Sequence, residues 1–155
     1  MNDSKENSVL AVEVLDLLFR ATRYIQHEYE MKLESLSLPF QLSGPRLRLL
    51  LMVWRAEKIR MNELASKLGV KPRTVTELVD ALERDGVIHR IPDPNDRRAT
   101  LLHLTEEALN QINLVRSVQM QISDEILQKF SENQRTQLHE LLSKFFEGKE
   151  FDFVY

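Results

Sequence analysis

A mainly α-helical chain carrying a small β-hairpin is the fold class this sequence predicts. Three observations lead there. Apolar residues recur at helical spacing near both ends, two short helical patterns meet at Leu68-Gly69-Val70, and a strand-turn-strand pattern follows at once. The 155 residues are expected to form one domain, with a core large enough to need no staples.

The N-terminal segment, 9–36, sets Leu10, Val14, Leu15, Leu18, Thr22 and Ile25 on one helical stripe, and the run Leu49-Leu50-Leu51-Met52-Val53-Trp54 reads as core. Leu64 and Ala65 precede Leu68 by four and three residues, so all three share a helix face. Gly69 accepts the left-handed conformation that ends a helix without a Cβ clash. Ala65 is small enough for the next helix to approach closely, and Val70 is expected to plug the turn. Pro72 suits the opening of that next helix, where its missing N–H has no intrahelical partner. Val75, Leu78, Val79 and Leu82 then form its inner stripe, which leaves Lys71, Arg73, Thr74, Thr76 and Glu77 facing outward near its start. In a helix-turn-helix this end of the second helix meets base edges in the major groove, so these five are candidates for reading DNA.

Gly86, after Asp85, is the left-handed cap of that helix, and Val87-Ile88-His89-Arg90-Ile91 reads as a strand that Pro92 ends. Asp93-Pro94-Asn95-Asp96 is turn chemistry, and Ala99-Thr100-Leu101-Leu102-His103-Leu104 is the returning strand. Arg97 and Arg98 stand just past the tip, where planar guanidinium groups suit the negative potential of a minor groove. Asp96, two residues from Arg98, is expected to hold it in line or to accept turn amides.

Beyond the hairpin, Leu109, Ile112, Val115, Gln119, Ile122 and Ile126 make one stripe. Ser131-Glu132-Asn133-Gln134 has capping-box spacing and opens a last helix with Leu138, Leu141, Leu142, Phe145 and Phe146 on its inner side. A unit this small has little use for so much helix at both ends. Segments 9–36 and 105–148 are therefore read as dimerisation helices, 44–104 as a winged helix-turn-helix head and 149–155 as an aromatic tail. Two-fold symmetry in such a homodimer calls for a pseudo-palindromic duplex with half-sites about 10 base pairs apart.

The net charge of −3 looks wrong for a nucleic-acid binder until it is divided by segment. From Arg46 to Arg98 there are twelve Lys and Arg against eight Asp and Glu, whereas the rest of the chain holds nine against sixteen. Arg46, Arg48, Arg55, Lys58, Arg60, Lys67, Lys71 and Arg73 could supply contacts to a phosphate backbone, while acidic flanks discourage indiscriminate binding. The chain has no cysteine, which excludes disulfides and thiolate chemistry. It has no apolar run of membrane-spanning length, and Met1–Ser8 is polar rather than a signal peptide, so no membrane partner and a cytoplasmic location are expected.

The run Glu63-Leu64-Ala65, Leu68-Gly69-Val70, Thr74 to Glu83, Gly86-Val87-Ile88, Arg90, Asp96-Arg97-Arg98 and Leu104-Thr105 resembles the MarR-type (multiple antibiotic resistance regulator) bacterial transcription factors. The likeness extends over the whole chain in element order and is most specific in the Asp-x-Arg wing followed by Leu-Thr. It implies that Arg98 enters the minor groove and that Arg97 contacts a nearby phosphate. It also departs from the pattern. Ala108 stands where Gly is usual, and Arg60 and Lys71 stand where Ser or Thr often caps the two reading helices. The resemblance implies a repressor that covers a promoter and leaves it when a small aromatic or anionic effector binds between the dimerisation helices and the head. Tyr24, His27, Trp54 and Arg55 are the residues of suitable chemistry there, with Tyr29 beside them.

No cofactor and no metal site is expected, because His27 with Glu30 is a two-ligand pattern only. There is no Gly-rich phosphate loop, nucleophile elbow or His-Glu-x-x-His to support an enzyme. The competing readings are a winged helix used only for protein interaction and a metal-responsive regulator of the same fold. An interaction-only wing would gain nothing from arginines at its tip.

Overall fold

The computed structural model describes residues 9–148. Its elements are α1 (Ala11–Ser35), α2 (Gly44–Ala56), β1 (Ile59–Arg60), α3 (Met61–Leu68), α4 (Pro72–Arg84), β2 (Ile88–Asp93), β3 (Asp96–Leu104), α5 (Glu106–Ile126) and α6 (Glu132–Ser143), followed by a 3-10 turn at Lys144–Phe146. The aromatic tail read at 149–155 lies outside the described residues.

The head is built around α2. Its start is fixed twice: the Ser43 hydroxyl accepts the Arg46 N–H at 3.4 Å, and the Glu30 carboxylate of α1 accepts the Gly44 N–H at 2.9 Å. Leu47, Leu49, Leu50, Leu51, Met52 and Val53 are all buried, so the helix is enclosed on most sides rather than amphipathic. It ends abruptly. Glu57 takes φ 59° and ψ −49° while the Lys58 N–H reaches the Ala56 carbonyl at 2.6 Å. This is a γ-turn with positive φ, a conformation that costs a residue with a side chain on the order of 1–3 kcal/mol. It turns the chain into β1.

The expected hairpin is in fact one edge of a three-stranded sheet, in the order β1-β3-β2. β1 is two residues long and pairs Ile59 with Leu102 and Arg60 with Leu101. Pro92 does not end β2 as expected. It pairs with Thr100, and the strand runs on to Asp93. β2 is an edge strand, where a residue without an N–H costs no ladder bond. The arginines Arg97 and Arg98 accordingly belong to β3 itself, two and three residues past a Pro94-Asn95 tip.

Between α3 and α4 the turn forms as the glycine requires, with Gly69 at φ 63° and its N–H and that of Val70 returned to the end of α3. Val70, however, is 38% exposed and plugs nothing. Leu68 and Leu78 pack against the core beside buried Leu64, Ala65, Val75, Val79 and Leu82. At the far end of α4, Gly86 takes φ 71°. The Thr105 hydroxyl then donates to the Gly86 carbonyl at 2.7 Å and accepts the Ala108 N–H at 3.2 Å. One side chain thus caps α5 and ties it to the corner after α4, which is the physical use of Leu104-Thr105.

In α5 the buried stripe is Ala108, Ile112, Val115, Val118 and Ile122. Leu109 is exposed and Gln119 half-buried, because the inward face of a 3.6-residue helix over five turns runs through Ala108 and Val118 instead. The Tyr29 hydroxyl of α1 lies 3.4 Å from both the Gln119 carbonyl and the Ser123 hydroxyl, and Lys32 pairs with Glu125. In α6 the capping box forms, Ser131 Oγ accepting the Gln134 N–H at 3.3 Å and Gln134 Oε1 accepting the Ser131 N–H at 3.0 Å. Yet no residue of α6 is buried, and in α1 only Leu33 is. Val12 and Phe19 are each 68% exposed and Leu141 is 60% exposed, so large apolar side chains of both terminal helices stand uncovered in the single chain.

Candidate nucleic-acid interface

α4 carries its polar residues where the sequence placed them. Lys71, Arg73, Thr74, Thr76 and Glu77 are all exposed around its first turns, while Val75 and Val79 anchor the opposite side in the core. Lys71 is the N-cap and its side chain makes no capping bond. Pro72 has no N–H and the Thr74 N–H donates to the Lys71 carbonyl at 2.9 Å, so in the first turn it is the Arg73 N–H, with the helix dipole behind it, that is left to attract a phosphate. Arg73 Nε donates to Glu77 Oε1 at 3.1 Å, one turn on. Both groups are largely exposed, so this pair is worth little and opens without penalty to a base edge. The Thr76 hydroxyl is turned back to the Pro72 carbonyl at 3.1 Å, whereas Thr74 has no such bond and is the freer of the two.

The wing supplies the second part. Arg97 and Arg98 are exposed and form no ion pair or side-chain hydrogen bond with the described residues. Asp96 does not hold the Arg98 guanidinium. Its Oδ1 accepts the Arg98 backbone N–H at 3.0 Å, fixing the strand start from which the side chain departs. The base of the wing is clamped to α4 by Arg90, which reaches both Asp80 and Glu83. Partial burial alone would lower the Arg90 pKa, but these two carboxylates outweigh it and raise it. At the tip, Arg60 Nε donates to Asp93 Oδ2 at 2.7 Å, and Asp93 is 4% exposed. Sequence reasoning missed Asp93, and nothing local marks it: its partner lies 33 residues away. It also set Arg60 and Arg46 among the phosphate contacts. Arg46 instead donates to the Gln41 carbonyl and to Asp85, at 2.9 and 3.2 Å.

Of the expected effector residues, Trp54 and Arg55 come together with Glu57, His103, Leu104 and Leu109 around a cavity of about 560 Å³ between α2, β3 and α5. Tyr24 and His27 are exposed on α1 and do not line it. His103 Nε2 is buried there with no hydrogen-bond partner among the described residues. Burial, then the neighbouring His89 ring and Lys58, push the His103 pKa down. His27 and Glu30 gain no third ligand, since Glu30 is committed to Gly44, and no group of three His, Asp or Glu among the described residues is placed to hold a metal. None of the described helices is long and apolar enough to cross a membrane.

Residues 42–100, which hold the helix-turn-helix and most of the wing, match the sequence model of the MarR family. Over 141 residues the chain is 27% identical to the HTH-type transcriptional regulator YhbI of Bacillus subtilis, covering 89% of this chain and 92% of that one. It is 25% identical over 126 residues to the HTH-type transcriptional repressor IacR of Pseudomonas putida, covering 81% and 75%. Among solved structures, a cysteine-to-serine mutant of E. coli MarR complexed with operator DNA superposes with a TM-score of 0.76 at 22% identity, covering 89% of this chain and 99% of that one. Fold and exposed helix tip together define a winged helix-turn-helix, the architecture of the transcriptional regulators it is similar to. The head, residues 42–100, carries the sequence pattern of the MarR family, and the chain as a whole is similar to HTH-type transcriptional regulators.

Proposed function

We propose that two copies of this chain, paired through their terminal helices, bind a pseudo-palindromic duplex and repress transcription by covering it. One observation carries this: the exposed start of α4 and Arg97 and Arg98, which pair with none of the described residues, present positive charge on two neighbouring projections of the same head. A helix tip of this kind fits a major groove and a narrow arginine-bearing hairpin fits the adjacent minor groove. Lys71, Arg73, Thr74, Thr76 and Glu77 then meet base edges and phosphates, Arg98 enters the minor groove, Arg97 takes a phosphate, and Asp96 holds the backbone between them. The uncovered apolar residues of α1 and α6 support the pairing, since a chain that left them in water would lose about 25 cal/mol for each Å² of apolar surface that association could bury.

The effector class is a small aromatic anion seated in the cavity beside Trp54. Its lining offers an indole face, the Arg55 guanidinium and the buried His103 nitrogen. A ligand there touches both the head and α5, so it can favour one spacing of the two heads over another. A regulator of transcription works in the cytoplasm, which is where we place it. The deciding experiment is selection of bound duplexes from random DNA at several salt concentrations. Enrichment of a two-fold symmetric sequence is expected. Retention of no sequence, with protein partners captured instead, would favour a winged helix used only for protein interaction.

A further inference from the structure

We propose that Arg60 and Asp93 form a strut that sets where the wing arginines stand relative to α4, making Arg60 a positioning residue and not a phosphate contact. The proposal rests on the DNA-binding reading for its consequence, but its geometry is independent of it. Asp93 is the buried charged residue of the described chain, at 4% exposure, and it sits at the last residue of β2, where the ladder shifts register before the tip. Both of its oxygens are used. Oδ1 accepts the Asn95 N–H at 2.8 Å, while Oδ2 accepts Arg60 Nε at 2.7 Å and lies 2.6 Å from Arg60 Nη2.

Arg60 is well placed to act as the fixed end. Its backbone pairs with Leu101 in the sheet, it is the N-cap of α3, and the γ-turn at Glu57 sets the direction from which it arrives. Its side chain therefore connects the start of the helix-turn-helix to the far end of the wing. Without it, the Pro94-Asn95 tip would be held by the β2-β3 ladder alone, and small rotations of a two-stranded ribbon would displace Arg97 and Arg98 sideways. A displacement of that kind matters because groove insertion demands position as well as charge. The turn amide of Asn95 and then Arg60 hold the Asp93 carboxyl below its ordinary pKa, so the strut is charged at neutral pH.

The two roles differ in sign. An aspartate near DNA repels phosphates, so on charge alone Asp93→Asn should tighten binding to a duplex selected by the wild-type dimer. The strut predicts the opposite, a loss of about 3- to 10-fold, the order expected for an indirect contribution of a fraction to one unit of tenfold affinity. For Arg60→Gln, a lost phosphate contact lowers the salt slope by roughly 0.9, whereas a lost strut weakens binding with the slope unchanged. The double variant should bind no worse than the weaker single one. Amide exchange at Asn95–Arg98 should quicken in either single variant while protection across α4 stays as in the wild type. Tighter or equal binding by Asp93→Asn, a reduced slope for Arg60→Gln, additive losses, or unchanged exchange at the tip would each overturn the proposal. The exchange measurement needs no DNA. A wild-type chain that bound no duplex would sink the functional reading while the tip's exchange still judged the strut.

Discussion

The Arg116 guanidinium lies 4.7 Å from the centre of the Trp54 ring, joining α5 to α2 beside the cavity. A cation over an indole face is worth about 0.5–1 kcal/mol when exposed and more when sheltered, so the contact helps to set how the head sits against the C-terminal helices.

Trp54 is the chain's single tryptophan, and so its emission reports this one place. Benzoate, as a simple aromatic carboxylate, should change that emission saturably, and Arg55→Ala should weaken the apparent affinity several-fold. Emission that stays flat through millimolar benzoate, and through other aromatic acids, would show that the cavity does not bind an aromatic anion.

Arg98→Ala should weaken binding to the selected duplex by about 1–3 kcal/mol, and Arg97→Ala should lower the salt slope by roughly one. Titrations at several salt concentrations check both. If neither variant differs from wild type, the wing does not touch the duplex.

Changes at the helix tip should behave differently. Arg73→Ala and Thr74→Ala should relax base preference at particular positions, because contacts to base edges carry sequence information and contacts to phosphates do not. Competition against a panel of single-base variants is the measurement. A uniform loss on every sequence would show that these side chains only hold the backbone.

These two sets of residues were legible for different reasons. Gly69, Gly86, Pro72 and Ser131 act through the backbone within a few residues of themselves, and each does what its local chemistry requires. Val70 and Leu109 misled because periodicity gives a face but not what lies opposite it. β1 was invisible, since two residues with no strand signal are held only by partners about 42 residues further on. Pro92 was read by a rule for interior strands, and it stands on an edge. Arg46 and Arg60 looked like free cations because their carboxylate partners, Asp85 and Asp93, are distant in sequence. The exposed character of the α4 tip was legible, because it follows from the same helical spacing that buries Val75, Val79 and Leu82.

Stability should depend on pH through His103. Burial first, then His89 with its ring 4.2 Å away, and then Lys58 disfavour its charged form, so the folded chain binds fewer protons than the unfolded one. The contribution is therefore complete above the ordinary histidine value of 6.5 and is lost as pH falls through the lowered one. Thermal unfolding between pH 7 and 5 should show a falling Tm that flattens in His103→Phe. An equal slope in both proteins would mean that other groups govern acid sensitivity.

In the proposed complex, two heads of one dimer engage adjacent grooves of the same duplex face. Hydroxyl-radical footprinting on a selected fragment, with the stoichiometry measured on the same complex, tests it most directly. Two copies per duplex should give paired protections whose centres lie about 10 base pairs apart, each flanked by a minor-groove protection that disappears in Arg98→Ala. A single protected patch from one bound copy, or flanking protection unaffected by that substitution, would contradict this arrangement.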